Sequence, residues 1–308
     1  MKTIRLPNDS VPFENGCIAL GNFDGVHKGH QKVIATCMEY AKKKGVPSGV
    51  YTFSKHPKTI FRHFDKVVTH SEVKEVVLET LLNPDWFILQ DIDEDFLCIT
   101  PEEFVKNVLK DTLKVSAVVV GEHYSFGKKG RGDTELLKAL CAEQNIEVVV
   151  VPLMYEDGVL LSSTHVRELI SKGDMEGASK VLGYDFFVMG EVVHGNHIGN
   201  TLGYPTINIE ENIEQILPVF GVYASVAEID GIKYESVSNV GMKPTVGTDK
   251  PLIETHIFGV DADLYGKKAK IFLKKQLRTE KRFSGLDELQ AQIRIDSEKA
   301  KAYFSKAR

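Results

Sequence analysis

Two histidines in a glycine-rich segment are the residues of this chain best suited to chemistry. The segment reads Gly-Asn-Phe-Asp-Gly-Val-His-Lys-Gly-His at 21–30, so His27 and His30 are three residues apart. Glycines let a backbone approach an anion closely, and a following helix offers free N–H groups and a positive dipole end. On one helical turn both imidazoles can donate hydrogen bonds to the charge that develops on a phosphate under attack. The segment predicts a phosphate site, against the alternative of two surface histidines in a turn.

The elements around this segment favour the phosphate site. An apolar strand at 17–20 precedes it and a helical pattern at 31–44 follows it. Further β-branched runs predict strands at 49–53, 86–89, 117–121 and 147–151. Helical patterns lie between them at 71–82, 101–110 and 134–144, with caps predicted at Ser71 and Thr100. This alternation predicts an α/β domain with a parallel sheet, whose ligands bind beyond the carboxyl ends of the strands, where 21–30 falls.

The second half of the chain has a different pattern. Two short helices are predicted at 164–172 and 175–182. Alternating strands separated by Gly, Asn, Asp and Pro turns then follow at 186–193, 222–229, 233–240, 253–258 and 269–273. A long helix is predicted at about 286–304. The pattern indicates a closed or nearly closed antiparallel barrel with a C-terminal helix, and it divides the chain into domains at 1–184 and 185–308.

Composition narrows the class of protein. The 308 residues are 43% apolar and 26% charged, as in ordinary globular proteins. A net charge of −5 argues against a broad nucleic-acid surface. No apolar run approaches eighteen residues and the first residues do not resemble a signal peptide, so we expect a cytoplasmic protein without a membrane partner. The four cysteines show no C-x-x-C spacing and are predicted to be buried, reduced thiols.

Segment 21–30 resembles the G-x-F-D-G-x-H-x-G-H signature of the bacterial riboflavin kinase/FAD synthetase family, a branch of the H-x-G-H nucleotidylyltransferases. Further segments match in the family's order and cover almost the full length. The resemblance implies a Rossmann-like FMN adenylyltransferase domain followed by a riboflavin kinase barrel. Each would use ATP with Mg²⁺, and riboflavin, FMN and FAD would be substrates and products.

The resemblance also implies roles in the first domain. Residues 161–167 resemble I-S-S-T-x-I-R, and His27 and His30 would act with Arg167 and Mg²⁺ by alignment and charge neutralisation, without a protein nucleophile. Ser163 or Thr164 can also cap the next helix, and both roles can hold together. The implied ATP and phosphate contacts of this domain are Gly21, Asn22, Phe23, Asp24, Gly25, Gly29, Ser163, Thr164 and Arg167.

Two further segments of the first domain resemble flavin-facing motifs. Residues 52–57 resemble T-F-x-P-H-P, with Lys55 where a proline is usual, and 121–133 contain a match to G-x-D-F-x-F-G, with His123 where an aspartate is usual. Phe126 could stack on an isoalloxazine ring, and Lys128, Lys129 and Arg131 supply cations. Taken alone, the two segments could equally be a surface turn and a solvated loop. The implied flavin contacts are His56, Pro57, His123, Phe126, Arg131 and Asp133.

Residues 190–208 resemble the riboflavin kinase pattern. Thr206 and Asn208 match the residues that hold Mg²⁺ with ATP, since their oxygens are suitable hard ligands. Glu254 falls where the family has the base for the riboflavin 5′-hydroxyl; a glutamate in an alternating strand is otherwise usually a solvent-facing residue. The remaining implied contacts are Gly195 and Gly199 for ATP and Arg278 and Phe283 for flavin.

The kinase loop departs from the family pattern R-G-R-x-L-G. Ile198 and Asn200 stand where arginines are common, and loss of cations beside a triphosphate weakens binding and charge neutralisation. The main prediction is an enzyme with both activities. Two alternatives remain open: an FMN adenylyltransferase whose kinase domain is weak or inactive, and a flavin-sensing regulatory protein.

Overall fold

The computed structural model of the chain describes residues 1–57, 66–193, 203–210, 214–243, 250–260 and 262–307. The chain divides into two units, Met1–Ser163 and Thr164–Arg308.

Unit 1 contains a six-stranded parallel sheet with strand order β1-β4-β3-β2-β5-β6. Its strands are β1 Lys2–Leu6, β2 Cys17–Leu20, β3 Ser48–Phe53, β4 Trp86–Gln90, β5 Ala117–Gly121 and β6 Glu147–Val151. The strand expected from the apolar run at 17–20 and the four expected from β-branched runs are confirmed. Strand β1 escapes the sequence pattern because it lies at the edge and buries only Ile4 and Leu6.

Helices lie between these strands. They are α1 Lys28–Lys44, α2 Ser71–Leu81, α3 Glu94–Cys98, α4 Pro101–Glu103 and α5 Thr134–Glu143. Helix α1 buries Val33, Ile34, Cys37 and Ala41, the spacing of three and four that predicted it. A short hairpin of β7 Tyr155–Glu156 and β8 Val159–Leu160 follows β6.

Two local predictions in unit 1 need correction. The helix expected at 101–110 continues from α4 as a π-helix over Phe104–Thr112. Its Thr100 cap is confirmed, with Glu103 completing a capping box. The Ser71 cap is wrong because Ser71 is already helical: His70 occupies the N-cap position, without a side-chain cap bond.

Unit 2 is built on a closed antiparallel barrel with strand order β10-β13-β12-β11-β14-β9, which confirms the predicted architecture. Its strands are β9 Phe187–Val193, β10 Ile207–Glu210, β11 Gly221–Ile229, β12 Ile232–Lys243, β13 Lys250–Ile257 and β14 Lys268–Thr279. Helices α6 Ser163–Ser171 and α7 Met175–Leu182 precede the barrel. Helix α8, Leu286–Ala307, packs Ala300 and Phe304 against Val222 and Val237 of the barrel.

Cys17, Cys37 and Cys141 are buried free thiols as expected, whereas Cys98 at the end of α3 is exposed. Within the described ranges, we find no helix whose length and hydropathy would let it cross a membrane.

Candidate active sites

The H-x-G-H loop lies where the strand order of the parallel sheet reverses. Strand β2 pairs with β3 on one side and β5 on the other, and the loop leaves its carboxyl end. In open α/β sheets this is where ligands bind. The backbone is unusual here: Phe23, Gly25 and Val26 have φ of 46°, 81° and 39°. Val26 is β-branched, so its left-handed backbone conformation is strained. Such a conformation persists only when surrounding contacts hold it in place.

Asp24 helps to hold the loop in this conformation. Its Oδ1 accepts hydrogen bonds from the backbone N–H groups of Val68 and Thr69, at 2.8 and 3.0 Å. Gly25 N donates to Thr69 Oγ1 at 2.8 Å, and Ser163 Oγ donates to the Asp24 carbonyl at 2.8 Å. The buried carboxylate therefore fixes the loop from within, and Ser163 fixes it from the S-S-T segment.

His27 and His30 lie side by side at the end of the loop. Their rings stack with centroids 3.6 Å apart and an interplanar angle of 23°. His27 occupies the N-cap of α1, where its Nδ1 accepts from His30 N at 3.4 Å. In a neutral imidazole the proton then lies on Nε2, which leaves Nε2–H as a donor. A Cβ on Gly29 would lie 3.1 Å from the His27 ring, so the glycine makes room for this ring.

Both imidazoles are held neutral. Burial lowers the pKa of His27 to about 4. The pKa of His30 is held well below its usual value by burial, then by His27 and by the positive charge of Lys74. Nδ1 of His30 is buried without a hydrogen-bond partner among the described residues. The pair thus offers neutral donors to an incoming anion.

Lys74, which sequence reasoning missed, lies beside the same loop. Its Nζ donates to the Asn22 carbonyl at 2.7 Å and to Thr52 Oγ1 at 3.1 Å. Burial lowers its pKa to about 8, against the opposing effect of Asp24. The only sequence signal is a lysine within an amphipathic helix, a position that is usually solvated.

Some of the residues predicted to contact flavin in unit 1 lie at the surface, and others are partly or fully buried. His123 and Arg131 are exposed, and His56 and Pro57 are half-buried after the carboxyl end of β3. Asp133 caps α5, accepting from Leu136 N at 2.9 Å. The stacking role predicted for Phe126 does not fit, because its ring is 6% exposed and packs in the core.

The Phe126 ring lies against Phe104 and Tyr124, at centroid distances of 5.6 and 5.9 Å. Gly132 crosses so close that an added Cβ would lie 2.5 Å from the ring. The loop therefore covers this ring instead of offering its face to a flavin.

Thr164 and Arg167 lie in the first turns of α6, Thr164 exposed and Arg167 half-buried. The helix begins at Ser163, so neither Ser163 nor Thr164 occupies the expected cap position.

Three polar residues form a row across neighbouring strands of the barrel. Asn208 of β10 pairs with Glu254 of β13, and Glu254 pairs with Asn239 of β12. Directly paired residues of antiparallel strands share a face, with Cβ atoms about 4.5–5.5 Å apart. Asn208 is 4% exposed, and its Oδ1 has no hydrogen-bond partner among the described residues. Asn239, which begins a segment resembling the family's N-x-G-x-x-P-T motif, joins this row through its register with Glu254.

A cavity of about 260 Å³ opens beside this row. Thr206, Glu254, Arg278 and Phe283 all line it, as the sequence predicted for one site. Other lining residues come from β12, β13 and α8: Ser238, Asn239, His256, Leu289, Ile293 and Asp296. Gly195 and Gly199, together with Ile198 and Asn200, fall outside the described residues.

Arg278 is fixed at the cavity wall by several contacts. Its Nε donates to Asp296 Oδ2 at 2.8 Å, its Nη1 donates to the Thr279 carbonyl at 2.9 Å, and its guanidinium lies 5.7 Å from the Phe283 ring centroid. Gln292 Nε2 donates to Asp296 Oδ1 at 2.9 Å. Asp296 lies four residues before Ala300 and eight before Phe304, on the buried face of α8. An acidic residue on an otherwise apolar helix face is a sequence signal that could have indicated a buried ion pair.

The oxygens near this row suit a hard cation. The unsatisfied Asn208 Oδ1 is an acceptor of the kind that Mg²⁺ uses, and Thr206 stands two residues before it at the cavity. Over the described ranges, no group of three His, Cys, Asp or Glu side chains could hold a metal. Thr206 and Asn208 would offer neutral oxygens to such a cation.

The chain combines a parallel sheet that carries a stacked histidine pair at its switch point with a barrel that has a carboxylate in its cavity. These features are those of a nucleotide-dependent enzyme with two sites. The FAD synthetase family model matches residues 11–165, and the riboflavin kinase family model matches residues 182–304. The chain belongs to the bifunctional riboflavin kinase/FMN adenylyltransferase family.

Its relatives match over nearly their full length. The bifunctional riboflavin kinase/FMN adenylyltransferase of Bacillus subtilis strain 168 is 35% identical over 325 residues, covering 100% of both chains. The protein of the same name from Escherichia coli K12 is 33% identical over 310 residues, covering 99% of this chain and 98% of that protein. A crystal structure described as a macrolide-efflux protein from Streptococcus pneumoniae superposes with a TM-score of 0.86 at 29% identity, covering 97% and 98% of the two chains.

Proposed function

We propose that the chain makes FAD from riboflavin in two steps, each at its own site. In unit 2, riboflavin and ATP give FMN and ADP; in unit 1, FMN and a second ATP give FAD and pyrophosphate. Family membership supports the two activities. Their proposed assignment to sites is supported by the stacked His27–His30 pair in one unit and the Asn208–Glu254–Asn239 row in the other.

Adenylyl transfer in unit 1 needs no protein nucleophile. An FMN phosphate oxygen attacks the α-phosphorus of ATP, and the bond from that phosphorus to the bridging oxygen breaks to release pyrophosphate. The Nε2–H of His27 and the neighbouring His30 donate to the charge that builds on the α-phosphate. The loop positions Gly21, Asn22, Phe23, Gly25 and Gly29, with Ser163, Thr164 and Arg167 of α6, are proposed to hold the polyphosphate.

Phosphoryl transfer in unit 2 begins at Glu254. Its carboxylate takes the proton of the riboflavin 5′-hydroxyl while that oxygen attacks the γ-phosphorus and ADP leaves. Arg278 and Phe283 are proposed to contact the flavin in the cavity that they line with Glu254. Thr206 and Asn208 would hold Mg²⁺, which when bound would neutralise phosphate charge at this site.

The remaining proposals concern the domain bounds, the flavin contacts, the partners and the location. The functional domains are 1–184 and 185–308, which places α6 and α7 with the adenylyltransferase, although these helices lie in or next to unit 2. His56, Pro57, His123 and Arg131 are proposed to contact FMN in the first domain. Small molecules are the proposed partners, without nucleic acid or membrane, and the proposed location is the cytoplasm.

Paired variants test the proposal. The purified chain is incubated with Mg²⁺, ATP and either riboflavin or FMN, and products are separated by chromatography. His30→Ala should slow FAD formation from FMN about 100-fold or more and spare riboflavin phosphorylation. Glu254→Gln keeps size and shape but removes the base, so it should slow FMN formation about 100-fold or more and spare adenylylation.

Each variant is the folding control for the other reaction. Absence of riboflavin phosphorylation in the parent would favour the enzyme with an inactive kinase domain. Absence of both reactions, with flavin still bound, would favour a flavin-sensing regulator. Loss of both reactions in either single variant would overturn the assignment of separate sites.

A further inference from the structure

We propose that Lys74 is a positioning residue for adenylyl transfer, which holds the backbone of the H-x-G-H loop and adds a positive charge near His30. The inference rests on the proposed adenylyltransferase function of unit 1 and adds a residue to that site. Lys74 lies in the first turn of α2, and only 6% of its surface is exposed. A lysine is rarely buried to this extent unless its charge is paired or used.

The contacts of Lys74 converge on one carbonyl of the loop. Lys74 Nζ donates to the Asn22 carbonyl at 2.7 Å, and Thr52 Oγ1 donates to the same oxygen at 3.0 Å. Lys74 Nζ also donates to Thr52 Oγ1 at 3.1 Å, which closes a triangle. Asn22 immediately precedes Phe23, the first left-handed residue of the loop. Two donors on one carbonyl keep this peptide from turning, so they hold the strained conformation that carries His27 and His30.

The charge of Lys74 has a second effect. Among the titratable groups that act on this cluster are Asp24, whose carboxylate favours the charged ammonium, and the two imidazoles. An ATP polyphosphate bound against the histidines would draw a proton onto them. A fixed cation near His30 opposes that proton uptake, so the ring stays a neutral donor. The same cation adds to the neutralisation of charge in the transition state.

The experiment uses the full chain with Lys74→Met and Lys74→Gln, which remove the charge, and Lys74→Arg, which keeps it. Lys138→Met, an exposed lysine of α5, is the matched control. FMN adenylylation, riboflavin phosphorylation and the NMR titration of His30 are measured on each protein, with the His30 resonance assigned from the His30→Ala spectrum. The two neutral variants should lower kcat for adenylylation about tenfold or more and leave the KM for FMN within about threefold. They should also raise the pKa of His30 by about half a unit or more.

The outcomes separate positioning by charge from simple support of the fold. Adenylylation within threefold of the parent in Lys74→Met overturns the inference. So does a loss of rate with an unmoved His30 titration, or a moved titration with an unchanged rate. If Lys74→Met does not fold, Lys74→Arg and Lys74→Gln are compared instead. Faster adenylylation by Lys74→Arg than by Lys74→Gln supports the role of charge, and equal rates overturn it. A parent that phosphorylates riboflavin but never adenylylates FMN contradicts the proposed function instead, and the titration still reports the coupling of Lys74 to His30.

Discussion

Arg278 Nε donates to Asp296 Oδ2 at 2.8 Å, and this ion pair joins β14 to α8 at the wall of the barrel cavity. The two side chains are 19% and 4% exposed. Removal of one partner from such a pair leaves an uncompensated buried charge, whereas replacement of both by apolar residues can be nearly neutral. The pair therefore links α8 to the cavity wall, and its energetic contribution can be measured.

We expect Asp296→Leu to lower the free energy of unfolding of unit 2 by about 3–5 kcal/mol. The double variant Arg278→Met/Asp296→Leu should recover at least about 1 kcal/mol relative to the sum of the single variants. Urea unfolding followed by circular dichroism measures both values. The only tryptophan, Trp86, lies in unit 1, so the transition seen by its fluorescence should not move. Glu298→Leu, exposed on the same helix, is the control, and additive single effects would contradict the coupling.

The boundary between the functional domains gives a second prediction. A fragment ending at Gly183 retains Thr164 and Arg167 of α6, whereas a fragment ending at Ser163, where the structural unit ends, lacks both. We expect the longer fragment to make FAD from FMN without phosphorylating riboflavin, and the shorter one to lose adenylylation, because the proposed phosphate clamp is removed. Product chromatography with both flavins measures this. Equal adenylylation by the two fragments would remove Arg167 from the mechanism, and riboflavin phosphorylation by either would contradict the domain assignment.

The kinase loop supplies a third prediction. Ile198 and Asn200 replace arginines that the family pattern carries near the triphosphate. Ile198→Arg/Asn200→Arg should therefore raise kcat/KM for ATP in riboflavin phosphorylation about tenfold, the scale of one hydrogen bond to a charged group. Ile198→Gln/Asn200→Gln controls for side-chain length without charge. A parent that is already fast and gains nothing from the arginines would show that missing charge does not limit this site.

The sequence predicted the elements that local pattern determines. Five of the six strands of the parallel sheet follow from apolar and β-branched runs, and the position of His27 and His30 on one side of a helix start follows from their spacing of three residues. The barrel follows from alternating strands bounded by turn residues. In each of these cases the signal lies within a few residues of the feature that it predicts.

What the sequence could not predict depends on contacts between distant segments. Lys74 meets Asn22 across 52 positions, and Ser163 meets Asp24 across 139. Neither contact leaves a local pattern in the sequence. From the sequence alone, Lys74 is therefore interpreted as a solvated lysine and Asp24 as a phosphate contact. The stacking role predicted for Phe126 does not fit for the same reason: tertiary packing buries the ring, which the loop motif suggested would be accessible.

The pKa of His27 leads to the last prediction. Burial lowers it to about 4, whereas the pKa of an unfolded histidine is about 6.5. Between these pH values the unfolded chain binds more protons than the native one, so the free energy of unfolding must fall as the pH drops from 6.5 to 4. Below pH 4 both states are protonated at His27 and its contribution stops changing. The pKa of His30 is lowered in the same direction and adds to the acid sensitivity of unit 1.

We expect His27 alone to account for about 3 kcal/mol of this loss, from a shift of about 2.5 pH units at 1.36 kcal/mol each. His27→Gln removes the titrating ring, so its free energy of unfolding should decline less steeply over this range than that of the parent. Urea unfolding followed by Trp86 fluorescence at pH 6.5, 5.5 and 4.5 measures the difference within unit 1. His123→Gln, which removes an exposed histidine of the same unit, should keep the slope of the parent. Equal slopes for His27→Gln and the parent would show that the native imidazole takes up its proton as readily as an unfolded one, and that burial does not hold His27 neutral.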